Sequence, residues 1–200
     1  RDLHLSIRRQ RQMCIRDRFQ KHDIDAALET FKKGVGQIKE DSDPEIVSDF
    51  YAILGDILHE KGKASEAFAA YDSCLKWKAD NYGALNNYAY YLSVANKDLP
   101  RAEQMSYKTI KAEPNNATYL DTYAWILFQQ QRYEEAKIYI DQVLRNDKDP
   151  SGVVLEHMGD IYMKTGDTQK ALEYWQKAIE KGNDSKVLKD KLQQKKYIAG

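Results

Sequence analysis

The feature of this sequence that most restricts its fold is an internal repeat. Small residues recur along the chain at spacings of 34, 35 and 35 residues, and a second series recurs at 35, 34 and 35 residues. The first series is Gly55, Ala89, Ala124 and Gly159, and the second is Ala67, Ala102, Ala136 and Ala171. Because two independent series share one period, the sequence predicts a supersecondary unit of about 34 residues that is repeated along the chain.

Apolar residues around the small positions follow a helical pattern. Tyr51, Leu54 and Leu58 stand at i, i+3 and i+7, and the equivalent residues of the later units keep this spacing. It is the apolar stripe of an amphipathic helix. The small residues then mark where two helices approach to roughly 8–10 Å. The sequence therefore predicts an all-α fold of antiparallel helix pairs, with Trp175, at an aromatic position of a second helix, in the core.

Two stretches of the chain carry a family resemblance. "LGDILHEKGKASEAFAAYDSCL" and "MGDIYMKTGDTQKALEYWQKAI" resemble the tetratricopeptide repeat (TPR) family. The resemblance implies a right-handed α-solenoid, the TPR superhelix. Its predicted parts are a truncated unit at 19–47, full units at 48–81, 82–116, 117–150 and 152–185, and a capping helix at 186–197. The unit at 82–116 departs from the family pattern, with one extra residue in its "NKDLP" turn and Ser106 where an aromatic residue is usual.

The first residues of the chain do not fit the repeat. Residues 19–47 match the second half of a unit, so a first helix is expected at residues 8–18, where "RRQRQMCIRDR" has almost no apolar stripe. Residues 1–18 resemble a translated sequencing adapter. We interpret them as non-native and the chain as a fragment of a longer reading frame. A native basic arm is the alternative.

The distribution of charge argues against nucleic acid as a partner. Six of the 31 Lys and Arg residues and two of the 31 Asp and Glu residues lie in residues 1–18, which leaves 25 basic and 29 acidic residues and a formal net charge of −4. Because affinity for a phosphate backbone rests on a basic surface, we expect no nucleic-acid binding. No apolar run reaches the roughly 20 residues of a membrane-spanning helix, so we expect no direct membrane insertion of this stretch.

No recognisable pattern of catalytic or metal-ligating residues stands in the sequence. Cys14 and Cys74 form no CxxC pair, and we expect Cys74 to be a buried thiol. Glu156 and Asp160 stand at i and i+4 on one helix face and His157 on another, which predicts solvated or packing residues. We predict no enzymatic activity, no cofactor and no metal site.

The family resemblance also implies where the chain binds. In this family the concave surface is lined mainly by residues beside the small positions of each first helix. Transferred by register, the predicted site residues are Asp56, Asn86, Asn87, Tyr90, Asp121, Trp125, Phe128 and Asp160. Aromatic side chains supply buried area and Asn side chains bond a peptide backbone, so we expect a groove for an extended peptide or a partner helix. Packing between neighbouring helices is the alternative role for Tyr90 and Trp125.

The charge of the concave positions indicates the kind of partner. Some members of the family grip a terminal carboxylate with Lys and Arg at these positions. Here the chain has Ala52, Asp56, Asn86 and Asp121, so a carboxylate ligand would meet repulsion. The predicted function is a protein–protein interaction scaffold that binds another protein or peptide, neutral or basic. The alternative is a structural repeat segment of a larger bacterial cell-envelope or secretion-associated protein.

Overall fold

The structure is a computed structural model that describes residues 24–199. Over these residues it consists of ten α-helices and contains no strand. They are α1 (Ile24–Val35), α2 (Pro44–Glu60), α3 (Ala64–Trp77), α4 (Tyr82–Val94), α5 (Leu99–Ala112), α6 (Ala117–Gln129), α7 (Tyr133–Asn146), α8 (Gly152–Lys164), α9 (Thr168–Glu180) and α10 (Lys186–Gln194). The predicted all-α class is confirmed. The stretch that resembles an adapter, residues 1–18, lies outside the described residues.

The described residues form two compact units, one that ends at Asn87 and one that begins at Tyr88, so the boundary lies within α4. In the first unit α2 packs against both α1 and α3. In the second unit each helix from α5 to α10 packs against the next, and α6 also contacts α8. Each unit has its own apolar core. Sequential helix pairs joined by short turns, with first helices that also contact each other, are the arrangement of an α-solenoid.

The small residues of the repeat make room for aromatic rings of the partner helix. A Cβ atom at Gly55 would lie 2.8 Å from Cζ of Tyr71, and one at Gly159 would overlap the indole of Trp175. Both rings are fully buried, and so are all four alanines of the second series. The structure therefore confirms the predicted close approach of the two helices, and it confirms Trp175 as a core residue.

The turns inside the helix pairs share one left-handed residue. Gly62 and Gly166 have φ angles of +71° and +90°, and the equivalent residues Asn96 and Gln131 have +49° and +63°. Gly and, less strongly, Asn are sequence signals of left-handed backbone, whereas Gln131 carries no such signal. In the turn between α4 and α5 one further residue precedes the helix cap Asp98, which accounts for the extra residue of "NKDLP".

A buried lysine fastens α10 to α8. Lys191 is 3% exposed, and its Nζ donates to Glu156 Oε1 at 2.6 Å and to Asp160 Oδ2 at 2.7 Å. Asp160 is 1% exposed and also accepts a hydrogen bond of 2.9 Å from the indole Nε1 of Trp175. Burial raises the pKa of Asp160 to about 6, although the charge of Lys191 opposes this effect. The final helix α10 therefore packs on the last helix pair through the ion pairs of Lys191 and through the fully buried side chain of Leu188.

Replacing Gly159 by Ala should lower the free energy of unfolding by about 1–3 kcal/mol, because the new methyl group forces the Trp175 ring away from α8. This loss outweighs the helix propensity gained, up to about 1 kcal/mol for Ala over Gly. The matched control is Gly83→Ala in the first turn of α4, where the added Cβ makes an ordinary contact of 3.7 Å with Asn81 Oδ1. Urea denaturation followed by circular dichroism measures both variants. A Gly159→Ala protein as stable as the wild type would contradict the packing described here.

Lys191→Met should destabilise the protein by about 3 kcal/mol, because it leaves the buried Asp160 without its counter-ion. The double variant Lys191→Met, Asp160→Asn should recover most of this loss, since the amide oxygen of the new side chain still accepts the bond from Trp175 and no buried charge remains. Chemical denaturation of the wild type, the single variant and the double variant gives the comparison. Equal stability of the single and double variants would show that Asp160 does not depend on Lys191.

The unfolding free energy should carry a pH dependence from Asp160. The folded state holds the Asp160 proton more tightly than the unfolded chain, because burial raises its pKa to about 6 from 3.8. This contribution to stability is complete below pH 4 and is lost as the pH rises through 6, a change of about 2–3 kcal/mol. Relative to Asp160→Asn, the wild type should therefore lose stability between pH 4 and pH 7. Parallel stability curves for the two proteins would contradict this assignment.

Candidate protein-binding surface

Three of the predicted site residues stand in one column of rings in the second unit. Tyr90 of α4 lies 6.1 Å from His157 of α8, and His157 stacks on Trp125 of α6 at 4.0 Å between ring centroids. Trp125 stacks on Phe128 at 4.9 Å, and the ring of Tyr197 meets Phe128 edge-on at 5.3 Å. We call these five rings the ring column. Within the second unit it joins the last part of α4, α6, α8 and the segment that follows α10.

The rings of the column differ in their access to solvent. His157 and Phe128 are buried, with 5% and 3% of their surface exposed. Tyr90, Trp125 and Tyr197 are only partly buried. Burial, together with the negative charges of Asp121 and Glu156, raises the pKa of the Tyr90 hydroxyl to about 12. The column therefore presents part of its aromatic surface in a negative local potential.

Asp121 supports the column from α6. Its two carboxylate oxygens both lie 3.1 Å from Nδ1 of His157, and Asp121 is 6% exposed. A carboxylate bound to one ring nitrogen fixes the orientation of an imidazole. Asp121 thus holds the His157 ring parallel to Trp125, at an interplanar angle of 15°.

The structure places Asp160 in the network of Lys191 and Trp175 described above. Its two oxygens accept from these two residues, and its side chain is 1% exposed. Asp121 is buried as well. Neither carboxylate reaches a ligand unless the surface opens, so in this structure both residues position other side chains.

The remaining predicted residues, Asp56, Asn86 and Asn87, form a polar network in the first unit. Asp56 Oδ1 accepts hydrogen bonds from the Tyr71 hydroxyl and, at 3.0 Å, from Asn87 Nδ2. Burial raises the pKa of Asp56, and these two bonds oppose the increase. Asn86 is 5% exposed, and its Nδ2 donates to Asn87 Oδ1 at 3.4 Å. Asp56 and Asn87 are the more accessible members of this network.

Two buried polar atoms at predicted site residues have no hydrogen-bond partner within the described part of the protein. They are Oδ1 of Asn86 in the first unit and Nε1 of Trp125 in the second. A buried polar group without a partner costs roughly 1–3 kcal/mol, so such groups concentrate where packing or function requires them. For Trp125 the requirement is the ring column, because stacking on both sides fixes the plane of the indole.

Three residues of the site were missed from the sequence. His157 and Lys191 contact carboxylates that lie 36 and 31 residues earlier in the chain. Lys191 did carry a signal, since it shares the apolar stripe of α10 with Leu188, a place where an unpaired lysine is unfavourable. The predicted capping helix at 186–197 includes Tyr197, but the helix ends at Gln194 because Lys195 is left-handed, so Tyr197 lies in the segment after it.

Neither membrane-spanning nor metal-binding features stand out in residues 24–199. No helix there is both long and apolar enough to cross a membrane. These residues also contain no group of three or more His, Cys, Asp or Glu side chains arranged to hold a metal ion. Cys74 is buried, as predicted, and its Sγ lies 3.2 Å from Ser48 Oγ.

Comparison with known protein families gives matches to the tetratricopeptide repeat at three places. One profile of this repeat matches residues 48–81 and 117–150, and a second profile matches residues 153–184. No curated protein sequence matches the chain significantly.

Several solved protein structures share the fold at low sequence identity. PilF of Pseudomonas aeruginosa superposes with a TM-score of 0.72 at 19% identity, over 94% of this chain and 83% of its own. MamA from Desulfovibrio magneticus RS-1, residues 41 to the end, gives 0.67 at 16% identity, over 90% and 97%. YrrB, described as a TPR protein with an unusual peptide-binding site, gives 0.58 at 18% identity, over 78% and 76%.

The matched segments together make up half of the chain, and they fall on the helix pairs α2–α3, α6–α7 and α8–α9. Tetratricopeptide repeats support a function as a scaffold for protein interactions. The repeat period, the glycine–aromatic packing and these matches together show that the chain belongs to the tetratricopeptide repeat family.

Proposed function

We propose that the second unit binds an extended, neutral or basic peptide of a partner protein along the ring column. The observation that carries the proposal is the column itself, with Tyr90 and Trp125 partly exposed and held in place by buried rings. Large aromatic side chains that are rigid before binding lose little entropy on binding and dominate the energy of protein interfaces. The peptide-binding site named for YrrB supports the same use of this fold.

The charges around the column favour a basic partner. Glu156 and Asp160 share the single ammonium group of Lys191, so one negative charge is in excess on this part of α8, whereas the ammonium group of Lys164 lies at the far end of the column, over Tyr197. The raised pKa of Tyr90 has the same origin in part, because the carboxylates of Asp121 and Glu156 disfavour a phenolate there. A peptide carboxylate would meet this negative potential and be repelled, whereas Lys or Arg side chains would be attracted.

The first unit offers contacts of the same chemical kind. Asp49 is exposed and accepts a hydrogen bond of 3.0 Å from Asn81. Asp56 and Asn87 are partly exposed at the predicted positions. Amide and carboxylate groups bond the backbone and the basic side chains of an extended peptide, so we infer that this unit also favours a neutral or basic segment.

An array of peptides with acidic, neutral and basic sequences should give hits among the neutral and basic members. Trp125→Ala should weaken binding of such a hit by at least about ten-fold, as expected for an aromatic hot spot. The matched control is Tyr107→Ala, which removes a tyrosine of the same unit that is 52% exposed on α5.

Isothermal titration calorimetry measures the affinities, and circular dichroism confirms that each variant is folded. Trp125→Phe, which retains a ring in the stack, should fall between the wild type and Trp125→Ala. Preferential binding of peptides with an acidic C-terminus would contradict the proposal, as would an unchanged affinity of Trp125→Ala.

A further inference from the structure

The segment after α10 turns back onto the second unit and places Tyr197 at the end of the ring column. Its ring meets Phe128 edge-on, with 5.3 Å between the centroids. The Nζ atoms of Lys164 and Lys191 lie 4.6 Å and 5.4 Å from the centroid of the Tyr197 ring. Burial raises the pKa of the Tyr197 hydroxyl to about 12, with Asp160, Tyr133 and Glu156 adding to the effect. Tyr197 is therefore held on several sides.

A turn of the backbone before Tyr197 directs its side chain toward Phe128. Lys195, directly after α10, has left-handed angles of φ 49° and ψ 41°. The amide of Lys196 donates to the carbonyl of Lys191 at 3.3 Å and closes the turn. A left-handed residue other than Gly costs on the order of 1 kcal/mol and persists where surrounding contacts offset the strain. The contacts of Tyr197 supply such an offset.

The chemistry of this position suits a tyrosine side chain. An electron-rich ring is attracted to ammonium groups over its face, and two aromatic rings favour an edge-to-face arrangement. Lys164 and Lys191 supply the ammonium groups, and Lys191 is held in place by Glu156 and Asp160. An aliphatic side chain of similar size would fill the space but would lose these electrostatic contacts.

We propose that Phe128, Lys164 and Lys191 form a tyrosine-binding subsite of the interaction surface, that Tyr197 occupies it as an intramolecular ligand, and that a tyrosine of a basic partner segment displaces it. The inference rests on the proposed function of the ring column and names one side chain of the partner. The resident segment has the predicted character of the partner, since Lys195 and Lys196 directly precede Tyr197. A ligand on a short tether competes at an effective concentration in the millimolar range, so Tyr197 masks the subsite from weakly binding peptides.

The test uses a fluorescein-labelled peptide with the sequence QQKKYIAG, residues 193–200, and fluorescence anisotropy. The Tyr197→Ala variant of the 200-residue chain should bind this peptide at least about ten-fold more tightly than the wild type, because the tethered competitor is gone. A peptide with Leu in place of Tyr should bind the Tyr197→Ala protein about 3- to 30-fold more weakly, the range expected for lost cation–π contacts. Adding Phe128→Leu to Tyr197→Ala should weaken binding of the tyrosine peptide again.

Tyr107→Ala is the matched control, and it should bind the labelled peptide as the wild type does. If Tyr197→Ala impairs folding by circular dichroism, Tyr197→Leu replaces it, since Leu fills the space without the electrostatic contacts. Equal affinity of the tyrosine peptide for the wild type and both Tyr197 variants would overturn the inference, and so would equal binding of the tyrosine and leucine peptides.

The two proposals fail in distinguishable ways. If array peptides bind in a manner that depends on Trp125 while Tyr197→Ala changes nothing, the tyrosine subsite is wrong and the proposed function stands. If no peptide binds the wild type or any variant, both are wrong.

Discussion

The structure depends on one contact, in which an aromatic ring of a second helix crosses a glycine of the first helix. Gly55 accommodates Tyr71, and Gly159 accommodates Trp175. In both pairs the polar edge of the ring reaches the residue that follows the glycine: Tyr71 donates to Asp56, and Trp175 donates to Asp160. The close approach therefore has two effects, because it brings the helices together and gives the carboxylate beside the glycine a hydrogen-bond donor.

The other two helix pairs use the same positions differently, and this difference produces the ring column. Where the second helix carries Ser106 or Ile140 in place of an aromatic residue, no polar ring edge is available for the first helix. The residue after the small position is then itself aromatic, Tyr90 or Trp125. The departure of Ser106 from the family pattern thus coincides with a ring that is available to neighbouring helices. The hydroxyl of Ser106 is buried without a partner among the described residues. Burying this polar group has a free-energy cost that an aromatic residue at the same position would not have.

The repeat pattern was enough to predict the class of fold, the close approach of the two helices at the small residues and the burial of Trp175, because these contacts form within one helix pair. It could not predict how side chains of different pairs meet. His157 contacts Asp121 from 36 residues away, and Lys191 reaches Asp160 from 31 residues away. Such pairings depend on how far one first helix is displaced along the next. The period does not specify that displacement, and a segment outside the repeats, such as that of Tyr197, has no template at all.

The charge that remains at Asp56 and at Asp160 depends on which donor a later helix offers to each carboxylate. Asn87 donates to Asp56, and Lys191 donates to Asp160, each from 31 residues further along the chain. The amide of Asn87 satisfies a lone pair but neutralises no charge, so Asp56 remains a source of negative potential. The ammonium group of Lys191 neutralises one carboxylate and is shared with Glu156, so an excess negative charge remains there too. Both units therefore keep a negative charge at these positions, although different donors satisfy their carboxylates, and the proposed preference for a neutral or basic partner rests on that charge.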